Sequence, residues 1–170
     1  MASTNQDAAR EFNVDLDKVA ARLNLRLADL FRALAARLFE NVVRRTPVGD
    51  PDYWQGHPKG VPSGNAKAPP GYIGGNARNN WWFSRNEKNN RPSGRSPGLG
   101  GVESLAGIQL GTATAELGDV LHLQNGVPYI LKLEAGTGSP RQAPNGMVSL
   151  TLAEAEAFYD NLAAEALSKV

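Results

Sequence analysis

The stretch NARNNWWFSRNEKNN, residues 76–90, holds the most distinctive chemistry in the chain. Trp81, Trp82 and Phe83 sit among asparagines, and Arg85, Lys88, Arg91 and Arg95 follow them. Rings interleaved with cations suit a single-stranded nucleic-acid platform, where rings stack bases and charges hold phosphates. Strand geometry works against that use. Neighbouring side chains of a β-strand point to opposite faces, so Trp81 and Trp82 cannot form one stacking surface. The expectation is a division of labour: one indole enters the core and the other faces a contact surface. Arg85, Lys88, Arg91 and Arg95 are then expected to face protein partners more than DNA. A single-stranded nucleic-acid-binding module, built on this strand and its basic loop, is the alternative.

Groups able to do bond-making chemistry are sparse. His57 lies in a Gly/Pro-rich loop and His122 in a strand, and neither has a second imidazole at metal-ligand spacing. There is no Gly-x-Ser-x-Gly elbow and no Walker loop. GLGG at 98–101 is too short and too poorly framed to cradle a phosphate. Glu134, on a short element with Tyr129, has the chemistry of a general acid but no visible partner, so a satisfied structural carboxylate is expected. No catalytic residue, cofactor or metal is expected, and the chain does not read as an enzyme.

Composition narrows the class further. At 170 residues with 41% hydrophobic content, one globular domain is expected. The lack of cysteine removes disulfides and thiolate metal sites and suits folding in a reducing cytoplasm. A net charge of +1 offers no global attraction to nucleic acid or membrane. No apolar run reaches the ~18 residues a membrane span needs, and the first residues carry no signal core. A soluble product made in the cytoplasm is expected. Charge segregates along the chain instead: residues 47–101 carry seven Lys/Arg against three Asp/Glu, and residues 102–170 three against eight. A basic middle and an acidic end can complement one another between copies.

The elements that must position these groups are legible in part. From Asp15 to Arg45, Leu16, Val19, Leu23, Leu27, Leu30, Leu34, Leu38 and Val42 recur every three or four positions, as one face of a long helix. Asn13 or Asp15 is a candidate cap, and Thr46-Pro47 stops the helix. A helix of some 30 residues spans roughly 45 Å, long enough to outreach its own domain and meet a neighbour. Residues 47–101 form a loop-rich excursion around a strand at about 79–85. Residues 102–117 are ambiguous, with helical spacing weakened by Gly107 and Gly111. GDVLHLQN reads as a strand, and PYILKLEAG as a short helix begun by Pro128 and ended by Gly136. The last helix, 151–168, opens with a capping box, Thr151-x-x-Glu154, and carries Leu152, Phe158, Tyr159 and Leu162 on its apolar stripe. The fold class expected is α+β: two helices packed on a small antiparallel sheet, with long Gly/Pro-rich loops.

Three segments together resemble the tail-completion and head–tail connector proteins of tailed bacteriophages. The first is the helix exit VVRRTPVGD, whose RTPV is followed, after an insertion between Val48 and Gly74, by GGNARNNWWFS with Arg78 and Trp81 or Trp82 in the expected places. The second is LQNGVPYILKLEAG, similar to that family's Asn-x-x-Pro-Tyr and Leu-Glu-x-Gly segment through Asn125, Pro128, Tyr129, Leu133, Glu134 and Gly136. The third is QAPNGMVSLTLAE ahead of the last helix.

The resemblance implies a structural virion protein at the head–tail junction. Such a protein forms a ring that joins the capsid connector to the tail tube and leaves a DNA channel. A six-fold ring matching the tail is the first expectation, and a twelve-fold ring its rival. Expected partners are further copies of the chain, neighbouring neck or connector proteins, and tail terminator or tail-tube proteins. DNA would pass without sequence-specific binding, and no membrane is involved. Contacts are expected through Trp81, Trp82, Arg85, Lys88, Arg91, Arg95, Tyr129, Glu134 and Arg141. Rings use unlike patches on adjacent subunits, which the segregated charge can supply.

Overall fold

A computed structural model describes residues 3–49, 73–89 and 94–156. Arg91, His57, most of the 48–74 segment, and the stripe positions Phe158, Tyr159 and Leu162 lie outside the described residues. The fold is α+β, with a long N-terminal helix, a C-terminal helix and a two-stranded antiparallel sheet. In chain order the elements are α1 (Ser3–Arg45), α2 (Asn76–Asn79), β1 (Trp81–Arg85), α3 (Val102–Ala113), β2 (Leu121–Asn125) and α4 (Ile130–Glu134). A final helix, α5, is described over 148–156. No described helix is long and apolar enough to cross a membrane.

The 43 residues of α1 extend well beyond the periodic stretch, so neither Asn13 nor Asp15 caps it. Polar, helix-compatible residues carry it back to Ser3, since nothing between Ser3 and Asp15 breaks a helix. Its exit is as expected: Arg44 and Arg45 occupy the last turn, and Thr46 and Pro47 end it. The strand begins at Trp81 rather than 79, because residues 76–79 form the helical turn α2. The ambiguous 102–117 segment resolves as α3, and α4 forms between Pro128 and Gly136, whose positive φ of 72° ends it.

β1 and β2 pair with Trp81 opposite Asn125 and Phe83 opposite Leu123. The chain between them passes through α3, so the pair is not a hairpin. Val42, Val43, Ala77, Trp81, Ile108, Val127, Leu133 and Met147 form the core where α1, α3 and the sheet meet. Trp81 alone removes about 150–250 Å² from water, worth ~4–6 kcal/mol before ordering is charged. Phe39 and Phe83 meet edge to face, with centroids 6.1 Å apart.

Residues 49 and 74 lie side by side. A β-carbon at Gly74 would lie 2.9 Å from the Gly49 oxygen and 3.2 Å from Val48 Cγ1. These two points of the described chain are therefore close enough for a tight turn to join them.

Gly111 shows how tightly α3 lies on the sheet. Its backbone is helical, so alanine should help by about 0.5–1 kcal/mol. A β-carbon there, however, would run into the Phe83 ring. Overpacking of this kind costs about 1–3 kcal/mol, so the clash should win. Gly111→Ala is expected to lower stability by roughly 1–2 kcal/mol in urea unfolding followed by circular dichroism.

Candidate functional site

Thr46 sits at the centre of the first motif and is fully buried. Its hydroxyl donates to Val42 O (2.8 Å) and accepts from the indole Nε1 of Trp81 (2.8 Å). Its carbonyl accepts from Arg78 Nε (2.8 Å), and Arg78 Nη1 donates to Leu99 O (2.9 Å). Burial holds the Arg78 guanidinium below its ordinary value. The RTPV exit, the Arg78 turn and the Trp81 strand are thus tied at one residue.

The second and third motifs meet through Glu134. Its carboxylate accepts from the backbone N–H groups of Met147 (3.0 Å), Val148 (2.9 Å) and Ser149 (2.8 Å), and from the Ser149 hydroxyl (2.6 Å). These are the free N–H groups at the start of α5, so Glu134 is the cap of that helix, supplied from another element. Gly146 takes φ 73° beneath it, and a β-carbon there would strike the Glu134 backbone oxygen. The expected Thr151 capping box does not form. The helix has already begun at 148, so the Thr151 hydroxyl donates back to Met147 O (2.6 Å) and accepts from Arg45 Nη1 (2.9 Å). Glu154 pairs with Arg45, not with the backbone.

Arg44, Arg45, Pro47, Val48 and Arg78 of the first segment face Gln142, Ala143, Pro144 and Gly146 of the third across an open cleft of about 470 Å³. Arg44 is the most solvent-facing of the three cations, 60% exposed and 3.5 Å from Glu40. Asn125, in the second segment, donates to Ala77 O (2.8 Å) and so joins the strand end to α2.

The tryptophans divide as strand geometry requires. Trp81 is buried and Trp82 half-buried on the other face. Trp82 is not a bare surface, because the Arg95 guanidinium of the same chain lies 3.9 Å above its ring. Arg95 Nη1 also donates to Trp81 O (2.7 Å) and Ser104 Oγ (3.1 Å), and Nε lies 3.6 Å from Glu103. Its guanidinium is therefore engaged inside the fold and not offered outward. Arg85 Nη1 donates to Thr114 O (2.6 Å) and reaches Asp119 (3.4 Å). Asp119 is held below the usual carboxylate range, first by the Glu116 N–H, then by the Asn86 amide, with Arg85 adding to the effect. Lys88 and Arg141 are exposed, and the exposed Tyr129 hydroxyl accepts from Asn76 Nδ2 (3.2 Å). His122 is half-buried on β2. Among the described residues no three His, Cys, Asp or Glu side chains are grouped to hold a metal.

Two residues were missed from sequence. Asn79 Oδ1 accepts from the Glu103 N–H (3.0 Å) at the start of α3, and its amide donates to Ser96 O (2.9 Å). Asn80 Oδ1 accepts from the Gly94 and Arg95 N–H groups (2.9 and 3.0 Å). Both are buried, and together they fasten the 94–101 loop. The signal was present as an Asn-Asn pair directly before a strand, since asparagine so placed often bonds nearby backbone.

No family model, curated protein or solved structure matches the chain.

Burial is the largest single influence on Glu134 and pushes its carboxyl up. The Ser149 hydroxyl and the three N–H groups outweigh it together and hold the group below its ordinary 4.5. A depressed carboxyl stabilises the fold fully above its unfolded value and loses that contribution as pH falls through the folded value. Glu134→Ala should therefore cost about 0.5–2 kcal/mol at pH 7, the worth of a helix cap. In paired denaturant titrations the gap to wild type should shrink as pH is taken below about 4.

Proposed function

We propose that this chain is a structural protein of a tailed-phage virion. It would act as a ring subunit at the head–tail junction, joining the capsid connector to the tail tube around a DNA channel, with no catalytic step of its own. One observation carries the reading. The first segment is itself split by residues 51–73 and lies far in sequence from the third, while the second and third are separated only by residues 137–141. Yet Thr46 bonds Arg78 and Trp81, Glu134 bonds residues 147–149, and the first and third segments face one another across a single cleft. Chance likeness in short strings gives no reason for the split halves of the first segment to meet each other, or for the first segment to face the third, whereas a shared structural unit requires both.

In this reading the ring is six-fold, matching the tail, with a twelve-fold ring as the rival order. Its neighbours are the connector above and the tail terminator or tube below. Lys88, Arg141 and Tyr129 remain exposed to meet them, and the arginine-walled cleft suits an acidic segment of a neighbour. Arg85 and Arg95 serve this role less directly, since their guanidinium groups are bonded within the chain.

Electron microscopy of the purified protein mixed with tails should show an added ring at the tail end. Arg44→Glu, on the exposed wall of the cleft, should leave circular dichroism unchanged and weaken tail joining about tenfold or more, because like charges brought together at a contact cost several kcal/mol. Tight single-stranded DNA binding that falls steeply with salt and vanishes in Trp82→Ala would overturn the reading in favour of a nucleic-acid module.

A further inference from the structure

Helix α3 buries two hydroxyls beside its core residues Ile108 and Leu105 and is apolar on its outer side as well. The face it turns toward α1 and β1 carries Ser104 and Thr112, 1% and 2% exposed, beside Ile108. The face it turns to solvent carries Val102 and Leu110, 71% and 75% exposed, with Ala106 and Ala113 exposed in the same row. Steps of three and four residues place 102, 106, 110 and 113 on one side of the helix, as a continuous apolar ridge. The inward polar groups are satisfied: Ser104 Oγ accepts from Trp81 N (3.0 Å), and the Thr112 hydroxyl donates to Ile108 O (2.7 Å). Single exposed apolar residues are ordinary, but a row of them on a helix whose hydroxyls are buried calls for a second covering surface.

A matching ridge lies elsewhere on the same chain. Val19, Leu23 and Leu27 of α1 are 52%, 42% and 51% exposed, in a stretch where every residue from Asp17 to Leu27 is exposed.

We propose that these ridges are the two sides of one contact between copies of the chain: the N-terminal half of α1 from one copy lies across the outer face of α3 of the next. The spacing supports it, because 19, 23, 27 and 102, 106, 110 both advance by four residues over about 12 Å. Rows of equal pitch interdigitate when helices cross near −50°. Ala106, small and central, leaves room for Leu23 between Val102 and Leu110.

Charge selects this pairing over the others. Between the flanking Asp17 and Asp29, residues 18–28 contain Lys18, Arg22 and Arg26 and no carboxylate, with Lys18 3.0 Å from Asp15. Residues 102–119 contain Glu103, Glu116 and Asp119 and no Lys or Arg, with Glu103 3.6 Å from Arg95. Glu103 and Glu116 are exposed beside the α3 ridge. Two α1 ridges paired about Leu23 would bring arginines against arginines, and two α3 ridges would bring carboxylates together. Unlike patches on one chain make a head-to-tail contact, which closes into a ring or continues as a fibre. The inference thus rests on, and deepens, the ring reading, by naming the surfaces that join subunits.

The chain has no cysteine of its own, so single cysteines can be placed without background. Leu23→Cys and Leu110→Cys proteins, mixed in equal amounts and treated with a short bismaleimide, should give the mixed dimer in clear excess over both homodimers. Leu23→Glu and Leu110→Glu should each keep the wild-type circular dichroism and weaken self-association about tenfold or more. Mixed together, the two Glu variants should stop at a dimer, because each retains one intact ridge. Mixed cross-links no more frequent than random collision, or homodimers in excess, overturn the contact. Rings seen in micrographs without 23–110 cross-links reject the contact and leave the ring reading standing. Open fibres or dimers linked 23–110 keep the contact and reject the ring.

Discussion

Thr46 is the constraint on which the rest of the fold depends. It is fully buried, and a buried polar atom left without a partner costs roughly 1–3 kcal/mol. Its N–H, hydroxyl and carbonyl are all engaged, and each bond draws in a different element. The N–H and hydroxyl close the end of α1, the hydroxyl also holds the Trp81 indole, and the carbonyl holds Arg78. Pro47 follows with no N–H of its own to satisfy, so the helix can stop inside the body without leaving a donor stranded. Satisfying one threonine therefore fixes where α1 ends, where β1 begins and how the turn between insertion and strand is oriented.

The same logic recurs wherever regular structure is thin. The two strands are five residues each, and the apolar core is small, so shape is held largely by side chains bonding to backbone. Asn79 and Asn80 fasten one loop to the start of α3 and the end of α2. Glu134 fastens another to the start of α5. Bonds of this kind are directional, so they specify one loop conformation where apolar contact would accept several. They also explain the positions of some glycines. Where a carboxylate or ring must approach backbone closely, as Glu134 approaches Gly146 and Phe83 approaches Gly111, any side chain would stand in the way.

What the sequence made legible was periodicity and punctuation. The stripe of α1, the Thr-Pro exit, the Pro128 to Gly136 bracket of α4 and the strand in GDVLHLQN all report local physics, and the structure keeps them, with both faces of β2 half-buried. What it obscured were groups satisfied at long range. Thr151-x-x-Glu154 has the form of a capping box, but the cap came from Glu134, which lies before the third motif and not in the helix itself. Arg95 looked like a surface cation because its neighbours are Gly, Ser and Pro, yet a buried backbone carbonyl and the Trp82 face drew it inward. The start of α1 was misplaced for the opposite reason: its first residues carry no apolar rhythm, and helix propensity alone does not mark a boundary. In the candidate site, the residue types in the three motifs were visible, and their meeting was not, because nothing local encodes that Thr46 and Trp81 share a bond.

The buried hydroxyls of α3 follow from the same economy. The N–H at the head of β1 and the Arg95 guanidinium both need an acceptor beside α3, and Ser104 supplies it to both. Gly111 must be small so that Phe83 can lie against the helix, and Thr112 closes its own turn. Ile108 and Leu105 share the inward side with these groups, and Val102 and Leu110 are left on the outer side. A helix that gives part of its inner face to bonding carries more of its apolar residues outside than an ordinary amphipathic helix does. Water alone gives no reason to put Val102 and Leu110 there in preference to lysine or glutamate. The polar requirements that hold the chain together thus leave Val102, Ala106 and Leu110 as an apolar ridge on the outer face of α3.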